Sequence, residues 1–339
     1  MSAIMAPPAG AGDDVVVAAA ARPTGVERVT GVVQQHGGEV VLLVVVVAAA
    51  ITSTGFLTGG NITSMLVGNA YTSLLALGMT FVIISGGIDL SVGSVFALGG
   101  VLAAYGAGHG GTVWALALPL LVCGGIGLLQ GWLIGRLGLA PFIVTLAGML
   151  GARGLLQAIT SQGTTTNLVP AGSLFGRLGQ GTWVPVGTAV VLFALGALLL
   201  QRSRFGQALF AIGGNENAAT LMGLPVTRTK LAVYTLSALL AGLAGTLNAS
   251  RLQSGVTNIG VGYELTAIAA VIIGGTILTG GAGSVSGTVA GVLLLAVIQN
   301  LIGVHLSQYG SAASDAVNGL FLALVVLIQT SLSRAQRLA

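Results

Sequence analysis

The chain has 339 residues, of which 6% are charged and 54% are hydrophobic. A soluble globular domain carries about 25% charged residues, so this composition excludes a protein whose whole surface faces water. The formal net charge of +4 comes from basic residues spread along the sequence, which argues against a nucleic-acid partner. The length and the high hydrophobic fraction predict an all-α polytopic membrane protein, surrounded by lipid and built as one bundle.

The first 39 residues differ in character from the rest of the chain. They mix acidic and basic residues with many alanines, glycines and prolines. A secretory signal would begin with a basic stretch, followed by an apolar core and a cleavage site, and that order is missing. We therefore expect residues 1–39 to form a short, disordered cytoplasmic tail.

The apolar runs after this tail predict about ten transmembrane helices. Together they form a transmembrane domain over residues 40–332, followed by a short cytoplasmic tail at 333–339. Each run is about as long as the 20 residues that a helix needs to cross a bilayer. The predicted segments are 40–57, 63–85, 91–107, 113–135, 141–160, 184–201, 231–250, 264–280, 284–304 and 314–332.

The distribution of basic residues predicts the orientation. Lysine and arginine are retained on the cytoplasmic side of a membrane protein. With ten spans and both termini in the cytoplasm, nine of the twelve basic residues fall inside. These nine are Arg22, Arg28, Arg136, Arg202, Arg204, Arg228, Lys230, Arg334 and Arg337.

Two stretches of the chain share one layout, which predicts a repeat. The stretch that begins at Tyr71 and the stretch that begins at Tyr263 each have an apolar span, a glycine-rich break with polar residues, and a second apolar span. Two halves of five spans each must insert with opposite topology, as in many transporters. We therefore predict an inverted five-plus-five repeat with glycine-broken helices.

The break in the first stretch reads GGIDLSVG and contains Asp89. A carboxylate beside long apolar runs is expensive in lipid, so Asp89 should face a cavity, a helix end or the membrane boundary. Asp89 and Ser91 can cap the helix that follows, and the break can also line the translocation path. Both interpretations stay open. The candidates for the path or for a helix break are Gly86, Gly87, Asp89, Ser91, Gly93, Asn248, Gly274 and Gly275.

The loop 202–230, predicted to be cytoplasmic, contains a short amphipathic helix. Asn215 is a good N-cap, and Glu216 lies in the first turn, where the helix dipole favours an anion. Gly223 is placed to end the helix, and Pro225 prevents its continuation. A helix of about two turns is marginal by itself, so it needs a surface to pack on.

At these two motifs the chain resembles the ribose/xylose/galactoside-type permease subunits of bacterial ABC sugar importers. The GGIDLSVG segment resembles a hallmark of that family. Ala218 and Ala219, followed by Gly223, resemble its ATPase-coupling motif, with Asn217 where the family commonly has glutamate. The similarity extends over residues 60–332.

The resemblance implies a half-transporter in the bacterial inner membrane. A second permease subunit, most simply an identical copy, would complete the pore. A cytoplasmic ABC ATPase would dock on the coupling loop, and a periplasmic or lipid-anchored binding protein would deliver a monosaccharide. The chain has no GxxxxGK[ST] phosphate loop. We therefore expect a transport component without enzymatic activity or a cofactor of its own, with ATP-Mg on the partner subunit.

Two other classes of function are alternatives to this one. A stand-alone secondary transporter could use Asp89 as a proton or sodium site, but it has no use for an ATPase dock. A membrane-embedded enzyme lacks support because no cluster of residues with catalytic spacing appears. The single cysteine and three dispersed histidines predict no metal site. Permeases for branched-chain amino acids and nucleosides have a similar plan, and only the GGIDLSVG motif favours sugars.

Overall fold

The computed structural model describes residues 25–306, 316 and 319–320. The chain divides into two units, 1–35 and 36–339. In the first unit the structure describes only the beginning of α1, and the contacts below all belong to the second. The elements are α1 (Gly25–Thr52), α2 (Gly59–Ile84), α3 (Val92–Leu137), α4 (Pro141–Ile159), β1 (Asn167–Leu168), α5 (Leu174–Gln180), α6 (Val184–Arg202), α7 (Arg204–Gly214), α8 (Glu216–Leu221), α9 (Val226–Leu252), β2 (Ser254–Gly255), α10 (Tyr263–Ile273) and α11 (Val285–Leu306).

Within these residues, six helices are long and apolar enough to cross a membrane: α2, α3, α4, α6, α9 and α11. The predicted count of ten and the inverted relation of the two halves stay predictions. The predicted span 314–332 lies outside the described residues except for 316, 319 and 320, as do the predicted tail 333–339 and residues 1–24.

Helix α3 turns back on itself at Gly111. This residue has φ 69° and ψ −160°, outside the helical region. The Cys123 thiol lies 3.6 Å from the Val95 carbonyl oxygen, although a straight helix would separate residues 28 positions apart by about 42 Å. The element is therefore two antiparallel halves, 92–110 and 112–137, in agreement with the predicted segments 91–107 and 113–135.

Helix α9 packs against α2 and α3 and extends from one end of the helix bundle to the other. Its 27 residues correspond to a length of about 40 Å. Both halves of α3 pack closely along it, because small residues let the backbones approach. At one such approach, a Cβ on Gly99 would lie 2.6 Å from the Gly242 carbonyl oxygen. Helix α8 lies at the beginning of α9, whereas β1, β2 and α5 lie at its end.

Two elements differ from the expectation. Helix α1 begins at Gly25, so residues 25–39, which composition assigned to a disordered tail, are helical, and no proline interrupts the chain between Pro23 and the end of α1 at Thr52. The helix predicted over 264–280 is shorter in the structure, because α10 ends at Ile273. Gly275 has φ +89°, which a helix cannot accommodate. The remaining 11 residues span about 16 Å, half the thickness of a bilayer core.

The two short strands were not predicted. Asn167 pairs with Gly255 and Leu168 with Ser254, in antiparallel register. The Arg153 guanidinium of α4 donates to the carbonyl oxygens of Thr257 at 3.0 Å and of Ile259 at 2.8 Å. These bonds tie the connection between α9 and α10 to α4.

Candidate functional site

Helix α8 begins and ends at residues with specific local chemistry. The Asn215 side chain accepts a hydrogen bond from the Ala218 backbone N–H at 3.0 Å, as an N-cap does. After the helix, Gly223 has φ +78°, the left-handed conformation that ends many helices. Lys230 Nζ lies 2.6 Å from Glu216 Oε1, which ties α8 to the second turn of α9.

One side of α8 is buried and its tip is exposed. Ala219 is 2% exposed and packs against Ala208 and Ile212 of α7. By contrast, Leu221 is 89% exposed and Met222 78% exposed. Sequence reasoning overlooked these two side chains, although large apolar residues in a polar loop are a usable signal. Helix α8 therefore presents an exposed apolar tip, while its opposite side packs against α7.

The remaining residues of the predicted coupling set lie around this tip. Asn217 and Ala218 are exposed on α8, and Pro225 is the N-cap residue of α9. Residues 215–225 therefore form one continuous surface feature at the beginning of α9.

The Asp89 carboxylate is fully buried in the break between α2 and α3. Its Oδ1 atom accepts the backbone N–H of Ser91 at 2.9 Å and the Ser91 hydroxyl at 2.6 Å. Its Oδ2 atom accepts the Ser237 hydroxyl of α9 at 2.8 Å. The carboxylate thus holds the first turn of α3 and connects the break to α9. Ser237 was not identified from the sequence, since it lies far from Asp89 along the chain.

Two side-chain polar atoms near this carboxylate are buried without a hydrogen-bond partner among the described residues. They are the Tyr234 hydroxyl and the amide nitrogen of Gln130. A Cβ on Gly87 would overlap the Tyr234 hydroxyl, so the glycine makes room for the ring. The Gln130 carbonyl oxygen accepts a long bond of 3.4 Å from the Ser91 hydroxyl. The break therefore packs against both α9 and the second half of α3.

The other path candidates lie at separate places. A Cβ on Gly93 would overlap the Gly260 carbonyl oxygen, where the connection between α9 and α10 meets α3. Gly274 packs against Gly287 of α11 in the same backbone-to-backbone manner. Asn248 lies near the end of α9, 22 residues from Val226, or about 33 Å along the helix. The structure therefore groups Gly86, Gly87, Asp89 and Ser91 and leaves Asn248 apart.

Comparison with known proteins decides the family. Residues 61–329 match the family described as the permease component of branched-chain amino acid transport systems. The chain belongs to this permease family. It is 40% identical over 285 residues to the ribose import permease protein RbsC of Bacillus subtilis, a match that covers 82% of this chain and 87% of the relative.

Other relatives are named for different sugars. The xylose transport system permease protein XylH of Escherichia coli K12 is 36% identical, with 84% of this chain and 88% of the relative covered. The fructose import permease protein FruG of Bifidobacterium longum is 37% identical, with coverage of 80% and 82%. No solved structure matches the permease.

A cavity of about 310 Å³ opens between α2, α6 and α11 of the permease. Its walls are apolar apart from the side chains of Asn69 and Ser73. A sugar needs several hydrogen-bonding partners in its site, so this cavity does not have the character of a sugar site. Among the residues that the structure describes, no group of three His, Cys, Asp or Glu side chains could hold a metal ion.

Proposed function

We propose that this permease is the membrane-spanning subunit of an ATP-binding-cassette importer that carries a monosaccharide. An extracytoplasmic binding protein delivers the sugar, and a separate ATPase subunit supplies the energy. Family membership supports transport, and the relatives named for ribose, xylose and fructose support a monosaccharide as cargo. The sugar is a pentose or a hexose of that kind, such as ribose, xylose or galactose.

The exposed tip of α8 is the observation that carries the proposal. Leu221 and Met222 present large apolar side chains outward, and apolar side chains concentrated at such a tip favour a protein partner. The buried Ala219 and the ion pair between Glu216 and Lys230 fix α8 to α7 and α9. A docked subunit that moves would therefore move α8 together with α7 and α9. These properties suit a helix on which an ATPase subunit docks.

The charges around α8 support a cytoplasmic location. Arg202, Arg204, Arg228 and Lys230 lie within the same end of the molecule as α8. Lysine and arginine are retained on the cytoplasmic side, so α8 faces the cytoplasm, as do both termini. The opposite end of α9, with β1, β2 and α5, then faces outward and receives the binding protein.

A second permease, most simply another copy of this chain, completes the pore in the inner membrane. Alternating access then follows from rigid-body movement of the two subunits when the ATPases close. ATP and magnesium bind the partner ATPase, and the permease needs no cofactor of its own.

Reconstitution with omission of single components tests the proposal. Liposomes should contain the permease, an ABC ATPase from the same organism and ATP inside, with the binding protein and a labelled sugar outside. Ribose, xylose, galactose and fructose should be compared. We expect uptake of at least one of them, lost when ATP, the ATPase or the binding protein is omitted. Uptake by the permease alone on a proton or sodium gradient would instead establish the secondary transporter.

Docking has a separate test. Leu221→Ser combined with Met222→Ser removes the apolar tip without touching the buried side of α8. We expect this variant to lose the ATPase during copurification while it accumulates in the membrane normally. Leu174→Ser is the control, because Leu174 is 62% exposed at the opposite end of α9. Equal ATPase recovery from both variants would rule out α8 as the dock.

A further inference from the structure

Three backbone segments meet directly beside the proposed coupling helix. They are the end of α7 at Gly213, the end of α2 at Ile84, and the loop between α10 and α11 at Gly280 and Gly281. The Gly281 N–H donates a hydrogen bond to the Ile84 carbonyl oxygen at 2.9 Å. This bond joins the two glycine-rich breaks of the permease to each other.

Gly213 packs against this junction with no side chain between the segments. A Cβ on Gly213 would lie 2.5 Å from the Gly281 nitrogen and closer still to the Ile84 carbonyl oxygen. A Cβ on Gly280 would lie 2.8 Å from the Gly86 Cα atom, and one on Gly281 would lie 2.9 Å from the Gly214 Cα atom. Backbone against backbone leaves no side chain to adjust its rotamer, so a displacement of one segment must displace the others.

The junction lies close in sequence to α8 and to both helix breaks. Gly213 lies two residues before Asn215, which caps α8. Ile84 is the last residue of α2, directly before the break that contains Asp89. Gly281 lies shortly before α11, which begins at Val285. The shortest connection from α8 to both breaks therefore passes through Gly213.

We infer that Gly213 is a positioning residue that passes the movement of α8 to the two helix breaks. The inference rests on the proposed function, in which α8 is the ATPase dock. When the ATPase displaces α8, the end of α7 carries the displacement to Ile84 and Gly281, and the ends of α2 and α11 move with it. Transport then depends on close contact at Gly213, whereas ATPase docking does not.

The neighbouring glycine gives a matched control. Gly213→Ala places a methyl group into the Ile84 carbonyl oxygen, whereas a Cβ on Gly214 has no atom within 4 Å. Both variants make the same chemical change, one position apart on the same helix. We expect Gly213→Ala to lower ATP-driven uptake about tenfold, the equivalent of about 1.4 kcal/mol and within the usual cost of inserting a methyl group. Gly214→Ala should transport like the unmodified permease.

Three readouts in the reconstituted importer separate the outcomes. Each variant should be compared for ATPase copurification, for ATP hydrolysis stimulated by the binding protein, and for sugar uptake. Retained docking and hydrolysis with lost uptake in Gly213→Ala alone supports the inference. Uptake equal to that of Gly214→Ala overturns it while leaving the importer assignment intact. If the unmodified permease does not bind the ATPase, the proposed function fails, and the inference with it.

Hydrogen exchange on the unmodified complex covers the case in which Gly213→Ala does not fold. The complex is compared with and without trapping by ATP and vanadate. We expect the amides of 210–223 and of 276–284 to change their exchange together, because Gly281 N–H is bonded across the junction. A change in 210–223 with none in 276–284 would overturn the inference.

Discussion

The buried Asp89 carboxylate permits a prediction whose size follows from its hydrogen bonds. It accepts one backbone N–H and two hydroxyls, from Ser91 and Ser237. In Asp89→Ala the hydroxyls can turn to backbone carbonyls, but the Ser91 N–H stays buried without its acceptor. An unsatisfied buried donor costs about 1–3 kcal/mol, and a hydrogen bond to a charged group contributes about 1.5–3 kcal/mol.

We therefore expect Asp89→Ala to lower the free energy of unfolding by about 2.5–6 kcal/mol and to reduce uptake, because the break and α9 lose their connection. Ser237→Ala removes only one of the donors to the carboxylate, and we expect a loss of about 1.5–3 kcal/mol. The measurement is denaturant unfolding of the purified permease in detergent, followed by tryptophan fluorescence.

Ser73→Ala is the control for these variants. The Ser73 hydroxyl is buried as well, but it bonds only to the Ala70 carbonyl oxygen of its own helix, at 2.6 Å. Its removal should cost less than the removal of Ser237, which connects two segments. If Ser237→Ala and Ser73→Ala have equal effects, or if Asp89→Ala unfolds at the same denaturant concentration as the unmodified permease, the carboxylate does not organise the break.

Two further predictions concern α8 and the connection between α9 and α10. Ala218→Arg should abolish ATPase docking and leave the unfolding midpoint unchanged, because Ala218 is exposed, whereas Ala219→Arg should also destabilise the packing of α8 on α7. Normal copurification of the ATPase with Ala218→Arg would contradict this. Arg153→Gln should destabilise the permease by about 1–3 kcal/mol and lower uptake, since the carbonyl oxygens of Thr257 and Ile259 lose a charged donor. Exchange of the 254–262 amides that stays as slow as before would exclude that role.

The sequence predicted most of the long helices because each apolar run is bounded by glycine, proline or charged residues. Helices α2, α4, α6 and α11 lie within a few residues of their predicted segments. The end of α10 was missed, since Ile277 and Leu278 continue the apolar run beyond the break at Gly275. Hydrophobicity reports burial, and only the backbone conformation at Gly275 reveals that the helix stops.

The candidate site was predictable where it is local and unpredictable where it is not. Asn215 and Gly223 act on their own helix, so residue type and spacing were sufficient to place them. The bond from Ser237 to Asp89 joins residues 148 positions apart, and no local pattern contains it. The approach of Gly213 to Gly281 also depends on how three segments pack, and a glycine in the sequence does not state what lies against it.

The accessibility of α8 shows directly whether this helix faces the cytoplasm and binds the ATPase. A single cysteine at Asn217, which is exposed, is labelled with a membrane-impermeant maleimide in intact spheroplasts and in inside-out vesicles; the native Cys123 is buried. If α8 is the cytoplasmic dock, Asn217→Cys is labelled only in inside-out vesicles and is protected from labelling when the ATPase subunit is bound. Labelling from outside intact spheroplasts would contradict it.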